Sequence, residues 1–103
     1  MTMHAVTMVR IYCTESDGQM AKVLSLLHDE VKVAGVTVTR GMSGFGHSGK
    51  WHASDWLDMS LNLPVTIECF DRPEVIAGVM EKLNNILAPG HLVTWAAQAN
   101  LED

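Results

Sequence analysis

Six segments with the periodicity of secondary structure follow one another in the order strand, helix, strand, strand, helix, strand. Residues 5–12 are rich in β-branched side chains, residues 36–40 and 57–69 alternate with period two, and residues 92–97 form a short final strand. Two stretches with apolar side chains at helical spacing separate these strands. Few architectures accommodate this order, because neighbouring strands must pair and each helix must bury its single apolar stripe.

The order predicts one α+β domain over residues 1–103 with the ferredoxin-like βαββαβ fold, a four-stranded antiparallel sheet with two helices on one face. The first helix is expected to begin at a capping box that starts with Ser16 and to end at Gly35. The second is expected to have Asp71 as its cap and Pro73 in its first turn, and to end before Pro89.

The face of the sheet opposite the helices has no cover within this arrangement, yet strand 5–12 is apolar on both sides. One side carries Thr7, Val9 and Ile11, and the other carries Val6, Met8 and Tyr12. The chain is 48% hydrophobic and only 18% charged, whereas a small domain should be rich in polar surface. These observations predict that further copies of the chain cover the helix-free face.

Composition excludes several classes of protein. A net charge of −5, with basic residues scattered singly, argues against a nucleic-acid-binding module, which needs a basic face. The sequence has no run of about 20 apolar residues that could cross a membrane, and its start lacks the pattern of a signal peptide. Cys13 and Cys69 lie in strand-like runs without CxxC spacing, which predicts buried, reduced thiols and a cytoplasmic protein.

A glycine-rich stretch, residues 41–52, is the most unusual segment of the chain. Residues 44–50 match G-x-x-x-x-G-K, but Trp51 stands where a nucleotide triphosphatase needs Ser or Thr, and no helix start follows. Exposed backbone N–H groups and cationic side chains suit phosphate or carboxylate, and aromatic rings suit a planar base. The alternative is a surface loop without a ligand. The candidate ligand-binding residues are Arg40, Gly41, Gly44, Phe45, Gly46, His47, Lys50, His52 and, after the second helix, His91.

Neither catalysis nor a resident metal is indicated by spacing. Asp55 and Asp58 suit a solvated loop, and Ser48 beside His47 lacks the surroundings of a nucleophile, so we expect no enzymatic activity and no cofactor. His47 and His52 are not spaced for a helical metal site, and no nearby cysteine or carboxylate cluster completes a tetrahedral set. Ligands from different subunits could still converge on a symmetry axis.

Several motifs resemble the bacterial family called domain of unknown function 190. The motifs are Arg10-Ile11-Tyr12, Glu15-Ser16-Asp17, residues 35–41 (GVTVTRG), Gly44-Phe45-Gly46 and residues 63–68 (LPVTIE) with Asp71. The combination of R-G-x-x-G-F-G with L-P-V-x-I-E is specific, and the resemblance covers nearly the whole chain. Such proteins are similar in fold to PII signalling proteins, which are trimers with inward-facing sheets. The resemblance therefore implies a homotrimer.

By the same resemblance, effectors would bind in clefts between subunits, where the loop after the second strand meets the turn after the second helix. Here those parts are residues 40–52 and Pro89-Gly90-His91. PII proteins carry a glycine- and lysine-rich phosphate loop after the second helix, whereas this chain has only Ala88-Pro89-Gly90. A phosphate-binding role would then fall to the glycine-rich stretch.

The leading hypothesis is a trimeric, non-enzymatic regulator that senses a small anionic metabolite or nucleotide and signals to a protein partner through the glycine-rich loop. One alternative is a trimeric metal-binding protein similar to divalent-cation tolerance proteins, with His47, His52, His91 and Cys69 as ligand candidates. Another is an adaptor whose loop docks on a membrane transporter or channel, without inserting into the membrane itself.

Overall fold

The computed structural model describes residues 1–15, 18–45, 52–53 and 63–103, and its element order is that predicted, with one additional pair of short strands. The elements are β1 (Thr2–Thr14), α1 (Gln19–Ser25), a π-helical continuation of α1 (Leu26–Val31), β2 (Val36–Arg40), β3 (Ser43–Gly44), β4 (His52–Ala53), β5 (Pro64–Asp71), α2 (Pro73–Asn84) and β6 (Leu92–Leu101).

The main sheet has the strand order β2-β5-β1-β6, and all of its neighbours are antiparallel. Strand β1 is central, with Val9 opposite Cys69 of β5 on one side and Thr94 of β6 on the other. This is the ferredoxin-like α+β fold that the segment order predicts. The two-residue strands β3 and β4 pair separately at Ser43–Ala53 and Gly44–His52; no periodicity in so short a segment could have predicted them.

One hydrophobic core lies between the sheet and the two helices. Both helices contribute to the same cluster of buried side chains, which confirms that they cover one face of the sheet. Its members are Val9, Ile11, Cys13, Val23, Leu26, Leu27, Val65, Ile67, Cys69, Ile76, Val79 and Leu83. Both cysteines are buried and reduced, as predicted. Burial raises the pKa of the Cys69 thiol to about 11, so the thiol is protonated at neutral pH.

The limits of α1 differ from the prediction at both ends. Gly18, with φ of 78°, precedes the first turn and provides no side-chain cap, while Ser16 lies outside the described residues. The helix widens into π geometry and ends at Lys32 rather than at Gly35. Lys32 adopts a left-handed φ of 59°, and the N–H groups of Lys32 and Val33 both point to the Leu27 carbonyl. This closure satisfies the end of the helix before Gly35 is reached.

The start of α2 also differs in detail, because Arg72 and not Asp71 is the N-cap. Asp71 instead ends β5, and its carboxylate accepts the N–H groups of Arg72 at 2.7 Å and of Ala34 at 3.1 Å. Its side chain therefore ties the start of α2 to the segment before β2. Pro73 occupies the first turn as predicted, where its missing N–H costs no hydrogen bond.

The helix-free side of the sheet, called here the open face, carries a row of large side chains. Alternation and cross-strand register assign to it Met8, Arg10, Tyr12, Thr66, Glu68, Phe70, Val93 and Trp95. Tyr12, Val93 and Trp95 are 43%, 44% and 38% exposed. Val6, which we expected to need cover from a partner, is instead buried within the single chain. The apolar surface of the open face is therefore concentrated around Tyr12 and Trp95.

Candidate functional site

The candidate site lies at one end of the sheet, where four chain segments meet. Strands β1 and β2 run parallel to each other with β5 between them, so their last residues reach the same end of the sheet. Glu15 follows β1, Arg40 ends β2, Leu63 precedes β5 and His91 precedes β6. The fold therefore places the base of the glycine-rich stretch and the turn after α2 at the same end of the sheet, by its opposite edge strands β2 and β6.

Arg40 forms an ion pair with Glu15 at this end. The Arg40 side chain is 62% exposed, whereas the Glu15 side chain is only 14% exposed. The Glu15 N–H donates to the carbonyl of Leu63 at 3.0 Å, which fixes the carboxylate-bearing residue against the start of β5. An accessible cation with a nearly buried carboxylate beside it can exchange that carboxylate for an external anion.

Glu15 was not among the residues that we selected from the sequence. The signal that could have found it is topological, because the first and second strands of a βαββαβ sheet end at the same edge. A carboxylate just after β1 and a guanidinium at the end of β2 are therefore neighbours across the start of β5. Sequence spacing alone does not reveal the pair, since Glu15 and Arg40 are separated by the whole of α1.

Close packing against Pro64 explains why position 41 is a glycine. A Cβ atom built on Gly41 would lie 2.9 Å from Pro64 Cγ, closer than side-chain packing tolerates. The Gly41 N–H donates to the Pro64 carbonyl at 2.7 Å. This N–H is therefore engaged within the chain, which differs from its expected role as a donor to an anion. Gly44 pairs with His52 through β3 and β4, and Phe45 beyond it is 64% exposed.

His91 fixes the turn after α2 onto the end of β1. Its Nδ1 lies 2.7 Å from the Tyr12 carbonyl, and its own carbonyl accepts the Tyr12 N–H at 2.9 Å. Because a carbonyl can only accept, Nδ1 carries the proton and Nε2 of the neutral ring is an acceptor. Gly90, with φ of 88°, supplies the left-handed conformation that this turn requires.

Of the residues predicted to bind a ligand, Arg40, Gly41 and His91 come to the same end of the sheet, with Gly44 and Phe45 in the segment that continues from it. The backbone of His52 lies in β4. Gly46, His47 and Lys50 lie outside the described residues. Those three stay predictions.

The histidine and cysteine candidates for metal binding are not assembled within the described part of the chain. No group of three or more His, Cys, Asp or Glu side chains suited to a metal ion occurs among residues 1–15, 18–45 and 63–103. Cys69 lies in the core beside Val9 and not at the end of the sheet. His91 therefore remains at the site without Cys69, and nothing in the described residues favours a metal site there.

A cavity of about 470 Å³ adjoins the same turn on the helix side of β6. Its lining residues are Met80, Asn84, Leu87, Ala88, Pro89, Gly90, Leu92 and Thr94. The apolar members come from α2, from the connection after it and from β6, and the Asn84 and Thr94 side chains supply polar groups.

Comparison with known proteins identifies the family. The model of the DUF190 family, described as an uncharacterized ACR, matches residues 6–99. The chain belongs to this family. A UPF0166 protein of Methanocaldococcus jannaschii is 33% identical over 90 residues, which cover 82% of each protein. No helix in the described part of this DUF190 protein is long and apolar enough to cross a membrane.

Solved structures show the same fold at low sequence identity. CPII from Thiomonas intermedia K12, bound to ADP and bicarbonate, superposes with a TM-score of 0.70 at 17% identity, over 95% of this chain and 91% of that one. A second CPII structure, described as a nitrogen regulatory PII-like protein bound to ADP, AMP and bicarbonate, gives a TM-score of 0.73 at 16% identity, over 95% of this chain and 91% of that one. A candidate PII-like signalling protein from Thermus thermophilus gives 0.65 at 13% identity, over 96% and 91%. The DUF190 chain therefore has the fold of PII-like proteins.

Proposed function

We propose that this DUF190 protein is a non-enzymatic, homotrimeric regulator that binds a small anion, with nucleotides and bicarbonate as the first candidates, in clefts between its subunits. The observation that carries the proposal is the largely exposed Arg40 at the same end of the sheet as the His91 turn. The two lie by opposite edge strands, β2 and β6, so that a cleft between neighbouring subunits would combine them. The similarity in fold to CPII, whose structures contain ADP, AMP and bicarbonate, supports this choice of ligands.

Arg40 is the proposed anion-binding cation. Its guanidinium is mostly exposed, and it can form paired hydrogen bonds to a phosphate or carboxylate. In the free protein Glu15 neutralises it, so an anion that binds Arg40 would take the place of the Glu15 carboxylate. The proposed site also includes Gly44, Phe45 and His91, together with Gly46, His47, Lys50 and His52 as sequence-based candidates.

Trimer formation is the second part of the proposal. The open face carries half-exposed Tyr12, Val93 and Trp95 on the side of the sheet without helices. Burial of such a face against further copies of the chain would remove this apolar surface from water. The family resemblance to PII proteins supports three copies with their sheets inward.

Signalling through the glycine-rich stretch is the third part. Residues 41–45 continue from Arg40, and residues 52–53 pair with them. A ligand that replaces Glu15 at Arg40 would change the contacts at the base of this stretch. We expect the altered stretch to be the surface that a protein partner, for example a membrane transporter, recognises.

Isothermal titration calorimetry tests the ligand class. Wild-type protein is titrated with ADP, AMP, ATP and bicarbonate, and an Arg40→Gln variant is compared with Lys82→Gln, a control on the exposed side of α2. We expect at least one of these anions to bind, and Arg40→Gln to weaken that binding by about tenfold or more, because a charge-assisted hydrogen bond is lost. The proposal would be refuted if all four anions bound more weakly than the millimolar range. It would also be refuted if Arg40→Gln bound them as tightly as wild type does.

A further inference from the structure

The open face carries a charged cluster in the middle of its apolar surface. Arg10 Nη2 lies 2.8 Å from Glu68 Oε1, and the Arg10 guanidinium lies 4.9 Å from the centre of the Trp95 ring. The two charged side chains are about one third exposed, at 38% and 33%. Neither takes part in the ligand site, which lies at the end of the sheet.

Three neighbours hold the Arg10 guanidinium in place. Hydrogen bonding with Tyr12 and with Glu68 raises the pKa of Arg10, so its charge is permanent. The face of the Trp95 ring offers a cation–π contact. Arg10 Nε is buried and has no hydrogen-bond acceptor within the described residues. Among the described residues, Glu68 is the carboxylate that compensates this cation.

The middle of the open face, around Tyr12 and Trp95, is electrically neutral, although the chain carries a net charge of −5. Arg10 and Glu68 are the charged residues that register assigns to this middle part, and they neutralise each other. His4, farther toward the start of β1 on the same side, contacts the Asp103 carboxylate. A neutral, half-exposed face can approach a copy of itself without repulsion between like charges. The surplus negative charge lies outside this middle part, so the middle of the open face suits a second copy of this chain as its partner.

We infer that the Arg10–Glu68 pair, held against Trp95, is a determinant of self-association on the open face. This inference rests on the proposed trimer, in which the open face is covered by other subunits. It goes further by naming the residues that decide whether the open face can be covered. Assembly removes the pair from water, and a buried charge that has lost its partner is strongly unfavourable. A pair of neutral side chains of similar size carries no such cost.

Sedimentation velocity over a range of protein concentrations tests the inference with Glu68→Gln, Arg10→Met and the double variant. We expect each single change to weaken assembly by about tenfold or more, since each leaves one uncompensated charge, and the double variant to assemble within about threefold of wild type. Glu81→Gln on α2 is the matched control, with the same chemical change at an exposed position outside the open face. Circular dichroism verifies that each variant is folded.

The possible outcomes separate this inference from the proposed function. If wild type assembles and the single variants match Glu81→Gln, the pair does not determine assembly and the inference fails, while the proposed trimer stands. If wild type sediments as an 11.3 kDa monomer at every concentration, both fail. If a single variant does not fold, the charge-swapped double variant Arg10→Glu with Glu68→Arg decides. The inference requires the swapped protein to assemble. A swapped protein that folds but does not assemble would overturn the inference.

Discussion

At the scale of single residues, the candidate site is defined by contacts that the chain already makes. Arg40 is paired with Glu15, the Gly41 N–H is bonded to Pro64, and Nδ1 of His91 is bonded to Tyr12. The proposed ligand would therefore compete with internal contacts for these groups. Glu15 is the residue whose removal should reveal this competition most directly.

We predict that Glu15→Gln binds an anionic ligand more tightly than wild type. The change removes the carboxylate that competes for Arg40, and an accessible ion pair is worth about 1 kcal/mol, so the dissociation constant for ADP should fall about fivefold. Calorimetric titration of both proteins measures the difference. Glu81→Gln controls for the change in net charge, and equal or weaker binding by Glu15→Gln would contradict the prediction.

Gly41 should tolerate no side chain. We predict that Gly41→Ala lowers the free energy of unfolding by about 1–3 kcal/mol, because the added methyl group would overlap Pro64 and force the two segments apart. Gly35→Ala is the matched control, since a Cβ there has no atom within 4 Å. Urea unfolding at one fixed protein concentration compares them, and equal stability of the two variants would show that the contact with Pro64 is unimportant.

At the scale of elements, the sequence predicts the interior of each strand and helix better than its ends. Period-two alternation predicts β2 at its observed bounds. The helical stripes identify the buried side chains of α2, and those of α1 and its continuation except Leu26. The predicted ends at Gly35 and Asp71 are wrong for different reasons. The first helix closes earlier and locally, through the N–H groups of Lys32 and Val33 on the Leu27 carbonyl, whereas Asp71 is engaged by a long-range contact with the Ala34 N–H. In the site, strand order places Arg40 and His91 at the same end of the sheet, whereas the ion pair with Glu15 depends on side-chain positions at the strand ends.

Two glycines near the helices should respond oppositely to alanine. Gly78 lies within α2 with open space around it, so Gly78→Ala should stabilise the fold by about 0.5–1 kcal/mol through lower entropy of the unfolded chain. Gly18 precedes α1 with φ of 78°, so Gly18→Ala should destabilise it by about 1 kcal/mol. Urea unfolding measures both, and shifts of the same sign would contradict the assigned backbone conformations.

The free energy of unfolding should fall at alkaline pH because of Cys69 in β5. Its pKa is raised to about 11 in the folded chain from 9.0, so between pH 9 and 11 the unfolded chain loses a proton that the folded chain keeps. The stabilisation is complete below pH 9 and is lost as the pH rises to 11, by about 2–3 kcal/mol. Urea unfolding at each pH compares wild type with Cys69→Ala, and we expect the variant to lack this pH-dependent loss of stability. Parallel pH profiles of the two proteins would refute the prediction.

At the scale of the whole molecule, the apolar surplus of the sequence has a defined position. It lies on the open face around Tyr12 and Trp95, on the side of the sheet opposite the helices. The same sheet brings the candidate ligand site to its end, beside the base of the glycine-rich stretch. The proposed assembly through the open face and the proposed ligand binding at the end of the sheet therefore use different surfaces, so one chain can do both.

Native mass spectrometry of the purified full chain with and without ADP tests the central claim most directly, because one spectrum reports both assembly and binding. We predict a species of three times the 11.3 kDa chain mass that takes up as many as three ADP molecules, one for each cleft between subunits. A spectrum that contains only the 11.3 kDa monomer, or a trimer that takes up neither ADP nor bicarbonate, would contradict the claim of an anion-binding trimer.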